Sequence, residues 1–262
     1  MAVVWITGAS SGIGEALAKQ YVKQGDKLVL SARRENQLQR VKDACIEQGA
    51  KPEDVLVLPL DVTEHETMAE KTQVVVDTFS QIDVLINNAG ISQRSKCLDT
   101  DLAVYKKLLD VDVLGQIALT KAVLPVMVKQ QSGHIVITSS VAGKVGVKMR
   151  TGYCAAKHAV MGFYDALRAE VAEYGINVST ITPGYIKTDV SKNAVTGDGS
   201  EFAEDDDDIA GGMNVDKCAA VILKGLQKGK KEISVGEGMP MLALWMKRFF
   251  PNLVFTMVAK KA

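Results

Sequence analysis

Residues 3–14, VVWITGASSGIG, decide the fold of this chain. The first four are apolar, and four of the first five are β-branched, as in a strand that is buried on both faces. Three glycines follow, and Ile13, Leu17 and Tyr21 then recur at the spacing of one helix face. The stretch therefore predicts a strand, a tight glycine turn and a helix, the opening unit of a parallel α/β sheet.

The glycine turn predicts a site for a dinucleotide pyrophosphate. Gly8 permits the turn, Gly12 lets the backbone approach an anion at the helix N-terminus, and Gly14 allows close helix–strand contact. An ordinary turn does not need three glycines over one helix start. The predicted contacts are Gly8, Ser10, Ser11, Gly12, Ile13 and Gly14.

Six further apolar runs alternate with helical patterns along the chain. Such alternation predicts a single-domain, Rossmann-type α/β fold over residues 1–262, with a doubly wound parallel sheet of about seven strands and helices on both faces. The predicted strands are 3–7, 27–32, 55–59, 84–87, 134–138, 177–182 and 232–235.

Composition excludes several other classes of function. Lys and Arg total 31 and Asp and Glu total 31, so no overall field attracts nucleic acid or an anionic membrane. The four cysteines are scattered, and the three histidines show no ligand spacing, which argues against a metal site or a disulfide framework. Residues 1–6 are too short for a signal peptide. We expect a cytoplasmic protein without a metal.

The end of the second predicted strand favours one cofactor over another. An acidic residue there would accept hydrogen bonds from a cofactor ribose whose hydroxyls are free, but this chain has Ala32 followed by Arg33 and Arg34. A guanidinium group suits a 2′-phosphate, and Arg33 is the preferred contact, because Arg34 could simply begin a solvated helix. NADP(H) is therefore favoured over NAD(H), although Ser11 stands where a second basic residue would have helped.

Short motifs after later strands complete the predicted cofactor site. Asp61 could accept a hydrogen bond from an adenine while Val62 packs on the ring, or Asp61 could simply initiate a helix. The small residues after the fourth strand either lie where the cofactor ribose would pass or form a plain turn. The residues after the sixth strand could cap the nicotinamide. These candidates are Asp61, Val62, Asn88, Ala89, Gly90, Pro183, Gly184, Ile186 and Thr188.

The segment GYCAAKH, residues 152–158, places the phenol of Tyr153 and the ammonium of Lys157 four residues apart on one predicted helix face. A phenol titrates near pH 10, and a neighbouring ammonium lowers its pKa toward the neutral range. Ser140, at the end of the fifth strand, could hold a substrate oxygen in line with Tyr153. The spacing alone is not diagnostic, because lysine is abundant in this chain.

Taken together, the motifs TGASSGIG, NNAG, the paired serines, YCAAK and PGYIKT resemble the short-chain dehydrogenase/reductase superfamily over essentially the whole chain. Within it, residues 185–262 are similar to the member 7 and 7B type. The resemblance implies that Ser140 orients a carbonyl, that Tyr153 is the acid/base, and that Lys157 binds the nicotinamide ribose and lowers the pKa of Tyr153. The expected reaction is NADP(H)-dependent hydride transfer to or from a carbonyl or secondary alcohol, in a homodimer or homotetramer.

Asp112 departs from the family pattern, which usually has Asn at this position before Gly115. In the family, the backbone carbonyl of that residue is thought to hold a water in a proton relay, and a carbonyl survives substitution. Alternatively, the carboxylate of Asp112 could pair with Lys157 and weaken its pull on Tyr153. A nucleotide-binding regulator with little turnover is the alternative function, and Asp112 is the feature that favours it.

Two segments are predicted to lie around the substrate. Residues 185–214 would cover the nicotinamide, and we expect the acidic run at 204–208 to be a solvated, mobile loop rather than a metal site. The apolar tail 239–262 is interrupted by Lys247, Arg248 and Pro251, which argues against a spanning helix. We expect lid or subunit packing to cover it; contact with a membrane is the less favoured alternative.

Overall fold

A seven-stranded parallel sheet forms the centre of the molecule. The computed structural model describes residues 1–204 and 206–260. The strands are β1 (Val3–Thr7), β2 (Lys27–Ser31), β3 (Val55–Val57), β4 (Val84–Asn87), β5 (Gly133–Thr138), β6 (Ile176–Pro183) and β7 (Glu232–Val235). They lie in the order β3-β2-β1-β4-β5-β6-β7, and all neighbours are parallel. The predicted fold class is confirmed.

Strand β3 is shorter than the prediction. It ends at Val57, although Leu58 N still donates to Leu30 O at 3.0 Å and Leu60 N to Ala32 O at 3.1 Å. Pro59 lies between these two donors and has no N–H of its own, so a regular ladder cannot continue through it. The difference is therefore one of hydrogen-bond regularity, and the chain remains against β2.

Helices cover both faces of the sheet. They are α1 (Gly12–Val22), α2 (Glu35–Glu47), α3 (Met68–Phe79), α4 (Leu102–Leu109), α5 (Gly115–Gln130), α6 (Thr151–Glu170), α7 (Asp207–Ala210), α8 (Val215–Gln227), α9 (Met239–Phe249) and α10 (Pro251–Lys260). A π-helical turn, Asp110–Leu114, joins α4 to α5.

Together, α4, the π-helical turn and α5 form one continuous helical run, Leu102–Gln130, which is long and apolar enough to cross a membrane by length and composition alone. It packs against α3 and α6 and buries Leu108 and Leu119, so we assign it to the core.

Two hydrophobic cores lie on opposite sides of the sheet. Leu17 of α1, Leu38 of α2 and Ile222 of α8 are buried on one face. On the other face, α3, α5 and α6 form the second core around Leu119 and Tyr164. Because both faces are covered, the strands carry continuous apolar runs. The strand order reverses beside β1, where β4 follows on its other side, and this fold binds ligands at such a switch point.

Candidate active site

A cavity of about 1510 Å³ opens at the carboxyl edge of the sheet. The last residues of four strands line it: Thr7, Ser31, Thr138 and Pro183. Parallel strands bring all of their carboxyl ends to one edge, so residues far apart in sequence meet in this cavity. The cavity lies beside the β1–β4 switch point.

The glycine turn forms one end of the cavity. Gly8 and Gly12 have φ angles of +64° and +56°, in the left-handed region that glycine adopts without a steric penalty. Helix α1 begins at Gly12, and Ser11 at its N-cap makes no side-chain capping hydrogen bond. The first-turn N–H groups therefore suit an anion such as a pyrophosphate.

Gly14 differs from the rest of the glycine turn, because it does not line the cavity. The other five predicted loop contacts, Gly8, Ser10, Ser11, Gly12 and Ile13, line the cavity, whereas Gly14 does not. A Cβ at Gly14 would collide with the backbone of Gly8 and approach Asn88 Nδ2 at 2.8 Å. Gly14 therefore allows close packing behind the turn, as its predicted role requires, and its direct contact with the cofactor stays a prediction.

Arg33 and Arg34 are exposed at the rim of the cavity. Among the residues that the structure describes, neither takes part in an ion pair. A third arginine, Arg40, has a different environment, because it pairs with Glu15 at 2.6 Å and donates to Ser10 O at 3.1 Å. Arg40 thus ties α2 to the glycine turn, while the side chains of Arg33 and Arg34 face solvent.

Asp61 and Val62 also line the cavity. One carboxylate oxygen, Asp61 Oδ1, accepts from Thr63 N at 3.0 Å and Thr63 Oγ1 at 2.8 Å, so Asp61 closes a local turn. It does not initiate a helix, since α3 begins at Met68. Asn88, Ala89 and Gly90 line the opposite wall, where Asn88 Nδ2 donates to Thr7 O at 3.2 Å. Asn88 therefore joins the end of β4 to the glycine turn.

Ser140, Tyr153 and Lys157 lie together on the wall of the same cavity. Tyr153 and Lys157 are on successive turns of α6, and Lys157 Nζ is 5.6 Å from the centre of the Tyr153 ring. Lys157 is buried and donates to Thr138 O at 3.3 Å. The neighbouring serine, Ser139, donates to Lys157 O at 3.0 Å, so it supports α6 while Ser140 faces the cavity.

Asp112 lies behind Lys157 and outside the cavity lining. It is fully buried in the π-helical turn, where Oδ1 accepts from Ile91 N at 2.8 Å and Oδ2 lies 3.4 Å from Lys157 Nζ. A Cβ at Gly90 would come within 3.1 Å of Asp112 Oδ1 and 3.2 Å of Lys157 Nζ, so glycine makes room for the pair. Of the two alternatives for Asp112, the ion pair is the one present in this geometry.

The electrostatics of this group differ from the sequence-based expectation. Burial raises the pKa of Tyr153; Lys157 lowers it and Asp112 raises it, so the pKa of the phenol stays above its ordinary value. Lys157 thus acts in the expected direction but does not outweigh burial. Burial also disfavours the charged form of Lys157, yet Asp112 and Tyr153 outweigh that effect, and the pKa of Lys157 is raised. The ammonium is held protonated.

Gln93 is a structural partner of the site that the motifs did not reveal. Its buried Oε1 accepts from Gly152 N at 2.7 Å and from Tyr153 N at 3.3 Å. Helix α6 has no cap from Arg150 at its N-cap position, so Gln93 satisfies N–H groups of its first turn. It holds the start of the helix that carries Tyr153.

An ion cluster anchors the segment that covers the cavity. Asp206 is buried, with Oδ2 at 2.7 Å from Arg150 Nη2 and 3.0 Å from Arg94 Nη1, and both arginines line the cavity. The expectation of a solvated acidic run is wrong for Asp206, because two guanidinium groups compensate its charge. Asp205 lies outside the described residues.

The remaining walls come from the two segments predicted to surround the substrate. Ile186 and Thr188 line the cavity after β6, next to Pro183 at the end of that strand and Gly184, and Thr188 packs toward Gly12. The apolar tail forms α9 and α10, which contribute lining residues from their inner side: Met239, Pro240, Ala243, Met246, Val254, Met257 and Val258.

The sequence that builds this site matches the profile of a known protein family. The short chain dehydrogenase family profile matches residues 2–199. The chain belongs to the short-chain dehydrogenase/reductase family. It is 43% identical over 252 residues to human dehydrogenase/reductase SDR family member 7, with 95% of this chain and 74% of the relative aligned, which confirms the predicted resemblance.

Solved structures of this family share the fold. A Burkholderia phymatum short-chain dehydrogenase/reductase in complex with NAD superposes with a TM-score of 0.83 and 22% identity, over 96% of this chain and 94% of the other. A Thermococcus sibiricus alcohol dehydrogenase complexed with 5-hydroxy-NADP has a TM-score of 0.76 and 25% identity, over 90% and 96%. The protein is thus a member of a family of oxidoreductase enzymes.

Proposed function

We propose that this short-chain dehydrogenase/reductase transfers hydride between NADP(H) and the carbonyl or secondary alcohol of a small, hydrophobic substrate. One observation carries the proposal: Ser140, Tyr153 and Lys157 line the same cavity as the glycine turn and Arg33. A proton-transfer group and a cofactor cradle therefore lie within reach of one bound substrate.

The residues present fit a nicotinamide dinucleotide. The uncapped start of α1 suits the pyrophosphate, and Arg33 suits a 2′-phosphate, beside Asp61 and Val62 for the adenine. The solved neighbours include complexes with NAD and with an NADP derivative, so they do not choose between the two cofactors. The preference for NADP(H) therefore rests on Arg33 and the neutral Ala32. The remaining proposed contacts are Asn88, Ala89, Gly90, Tyr153, Lys157, Pro183, Gly184, Ile186 and Thr188.

The chain's own residues would supply the proton chemistry. When bound, the cofactor supplies or accepts the hydride. Ser140 Oγ donates a hydrogen bond to the substrate oxygen, and the Tyr153 hydroxyl gives its proton to that oxygen in reduction. In oxidation the phenolate takes the proton back. Lys157 remains an ammonium because its pKa is raised, and it stabilises the phenolate.

Asp112 is proposed to hold Lys157 in place and to keep it charged. The 3.4 Å ion pair supports that role, and the hydrogen bond from Ile91 N fixes the carboxylate. Its backbone carbonyl is proposed to continue the proton path beyond Lys157. Both roles act through Lys157, since Asp112 does not reach the cavity.

Members of this family commonly form oligomers, and we propose a homodimer or homotetramer in the cytoplasm.

The apolar lining contributed by α9 and α10 favours a hydrophobic substrate over a highly charged one.

The proposal is tested by an NADPH-oxidation screen over small aldehydes, ketones, quinones, retinoids and steroids, with a Ser140→Ala variant as control. We expect turnover with at least one substrate class and a large loss in the variant. Binding of NADPH and NADH without turnover on any of these would favour the alternative, a nucleotide-binding regulatory protein.

A further inference from the structure

Helices α9 and α10 form a hairpin with two apolar sides. The inner side packs Met241, Leu244 and Met246 against Val141, Val145 and the buried Val254. It also forms part of the cavity wall. The sequence-based expectation of a lid describes this inner side only.

The outer side of the hairpin is exposed. We define the outer apolar face as six large side chains that are each about half accessible to solvent: Leu242 49%, Trp245 57%, Phe249 60%, Phe250 53%, Leu253 52% and Phe255 55%. The aromatic rings are clustered, with Trp245 centred 5.1 Å from Phe249 and 6.0 Å from Phe250. Large exposed apolar side chains grouped in this way mark a contact with another molecule or a membrane.

The charges around this face select its partner. From Gly238 to the end of the sequence there is no Asp or Glu, whereas Lys247, Arg248, Lys260 and Lys261 are basic. Lys247 Nζ lies 3.7 Å from the centre of the Phe255 ring, so cationic and apolar groups share one surface. The whole chain has a formal net charge of zero, so this local excess is not a reflection of overall composition.

A second copy of the chain fits this pattern poorly. A two-fold contact through this face would bring two copies of Lys247 and Arg248 into one interface. The segment offers no carboxylate to compensate them. An anionic lipid surface offers both complements, because its headgroups pair with the cations and its acyl region accepts the apolar side chains.

We propose that α9 and α10 dock the protein on an anionic membrane surface, with the outer apolar face lying in the interface. Trp245 suits that position, because its ring is amphipathic. The docked hairpin also forms the cavity wall, so a lipophilic substrate could pass from the bilayer to the cavity without crossing water. This last step rests on the proposed function; docking itself does not.

Co-flotation of the full chain with vesicles tests the proposal. The vesicles are phosphatidylcholine alone and phosphatidylcholine with phosphatidylserine. We expect binding to the anionic vesicles, weaker binding to the neutral ones, and a fall as salt is raised. Trp245→Ser/Phe249→Ser/Leu253→Ser should weaken binding by about tenfold or more, because these side chains supply apolar contact but do not line the cavity.

A matched control replaces two exposed leucines elsewhere. Leu98→Ser/Leu102→Ser removes side chains that are 96% and 69% exposed and should float like the parent. If the triple variant fails to fold, as judged by circular dichroism, Arg248→Gln/Lys247→Gln provides the test. It should lose about tenfold on anionic vesicles and little on neutral ones.

Two results would overturn docking: no flotation of the parent, or unchanged flotation of the triple variant. In the first case, a vesicle-free oligomer that the triple variant dissociates would assign the face to a subunit contact. NADPH oxidation with a water-soluble substrate, measured without vesicles, separates this inference from the proposed function. A chain that floats as expected but never turns over contradicts the proposed function alone. An active chain that does not float contradicts docking alone.

Discussion

Asp112 places a carboxylate against the buried ammonium of Lys157, at a position where the family usually has Asn. The pair lies out of solvent, with the side chains of Lys157 and Asp112 only 5% and 0% exposed. Removing one member of a buried pair normally leaves the other charge uncompensated. Lys157 also donates to Thr138 O, so it keeps a polar partner without Asp112.

The first prediction concerns Asp112→Asn. The charge of Asp112 raises the pKa of Tyr153, so its removal should lower the apparent pKa assigned to the phenol. Reduction needs the protonated phenol, and the alkaline limb of its pH–rate profile should therefore move to lower pH, with activity kept or modestly raised. Profiles of both proteins at saturating NADPH provide the measurement. Near-complete loss of activity with cofactor binding preserved would mean that the carboxylate itself takes part in the chemistry.

Arg33 should discriminate between the two nicotinamide cofactors. Loss of a charge-assisted phosphate contact costs about 1.5–3 kcal/mol, so Arg33→Ala should raise the Kd of NADPH by about ten- to a hundredfold and leave that of NADH nearly unchanged. Isothermal titration of both cofactors gives the comparison. Arg34→Ala is the matched control, since Arg34 is also exposed and occupies the N-cap position of α2. Equal weakening of both cofactors by Arg33→Ala would contradict the assignment.

At the scale of elements, the buried side chain of Asp206 ties the segment between β6 and α8 to the wall of the cavity. Asp206 binds Arg150, three residues before Tyr153, and also Arg94. Asp206→Ala would leave Arg150 buried beside Arg94 without the carboxylate that pairs with both of them among the described residues. The arginines would then repel each other, and the segment would separate from the cavity.

We expect Asp206→Ala to lower the free energy of unfolding by about 3 kcal/mol, near the lower end of the range for a broken buried pair, because Arg94 is partly solvated. KM should rise more than kcat falls. Chemical denaturation and steady-state kinetics measure both. Asp198→Asn, on an exposed turn of the same segment, should change neither appreciably. Equal effects of the two substitutions would contradict the anchoring role.

Most elements could be predicted because their signals are local. Buried parallel strands need apolar runs and the glycine turn needs its glycines, so all seven strands and the first βα unit could be recognised in the sequence. Exact ends depend on hydrogen-bond partners across the sheet, as Pro59 shows at the end of β3. The π-helical turn at Asp110–Leu114 left no comparable pattern.

The candidate site divides in the same way. Gly12, Ser140 and Tyr153 lie in short motifs that have chemical reasons for their spacing. Gln93 and Asp206 carry no motif, because they act on Gly152 and Arg150 across 59 and 56 residues of sequence. Only the folded chain brings them together. Likewise, the sequence shows that the tail is apolar, but which side chains face outward depends on how α9 packs over Val145.

At the scale of the whole molecule, the proposed cofactor site and the proposed proton-transfer residues all lie at the carboxyl edge of the sheet. The glycine turn holds one end of the cavity, α6 supplies Tyr153 and Lys157, and the α9–α10 hairpin closes the other side. The proposed membrane surface is the outer side of that same hairpin. Substrate entry and membrane contact would therefore be linked through one pair of helices.

The central claim is that Tyr153 transfers the proton in a cavity that also holds NADPH, and Tyr153→Phe tests it most directly. The substitution removes the hydroxyl and keeps the ring, so the glycine turn and Arg33 should still bind the cofactor. The measurement is kcat with the best substrate of the screen, alongside the Kd of NADPH for the same protein. We expect kcat to fall by at least about 10²–10⁴-fold, to the point of abolishing turnover, with the Kd nearly unchanged. A variant that retained most of its rate would contradict the account.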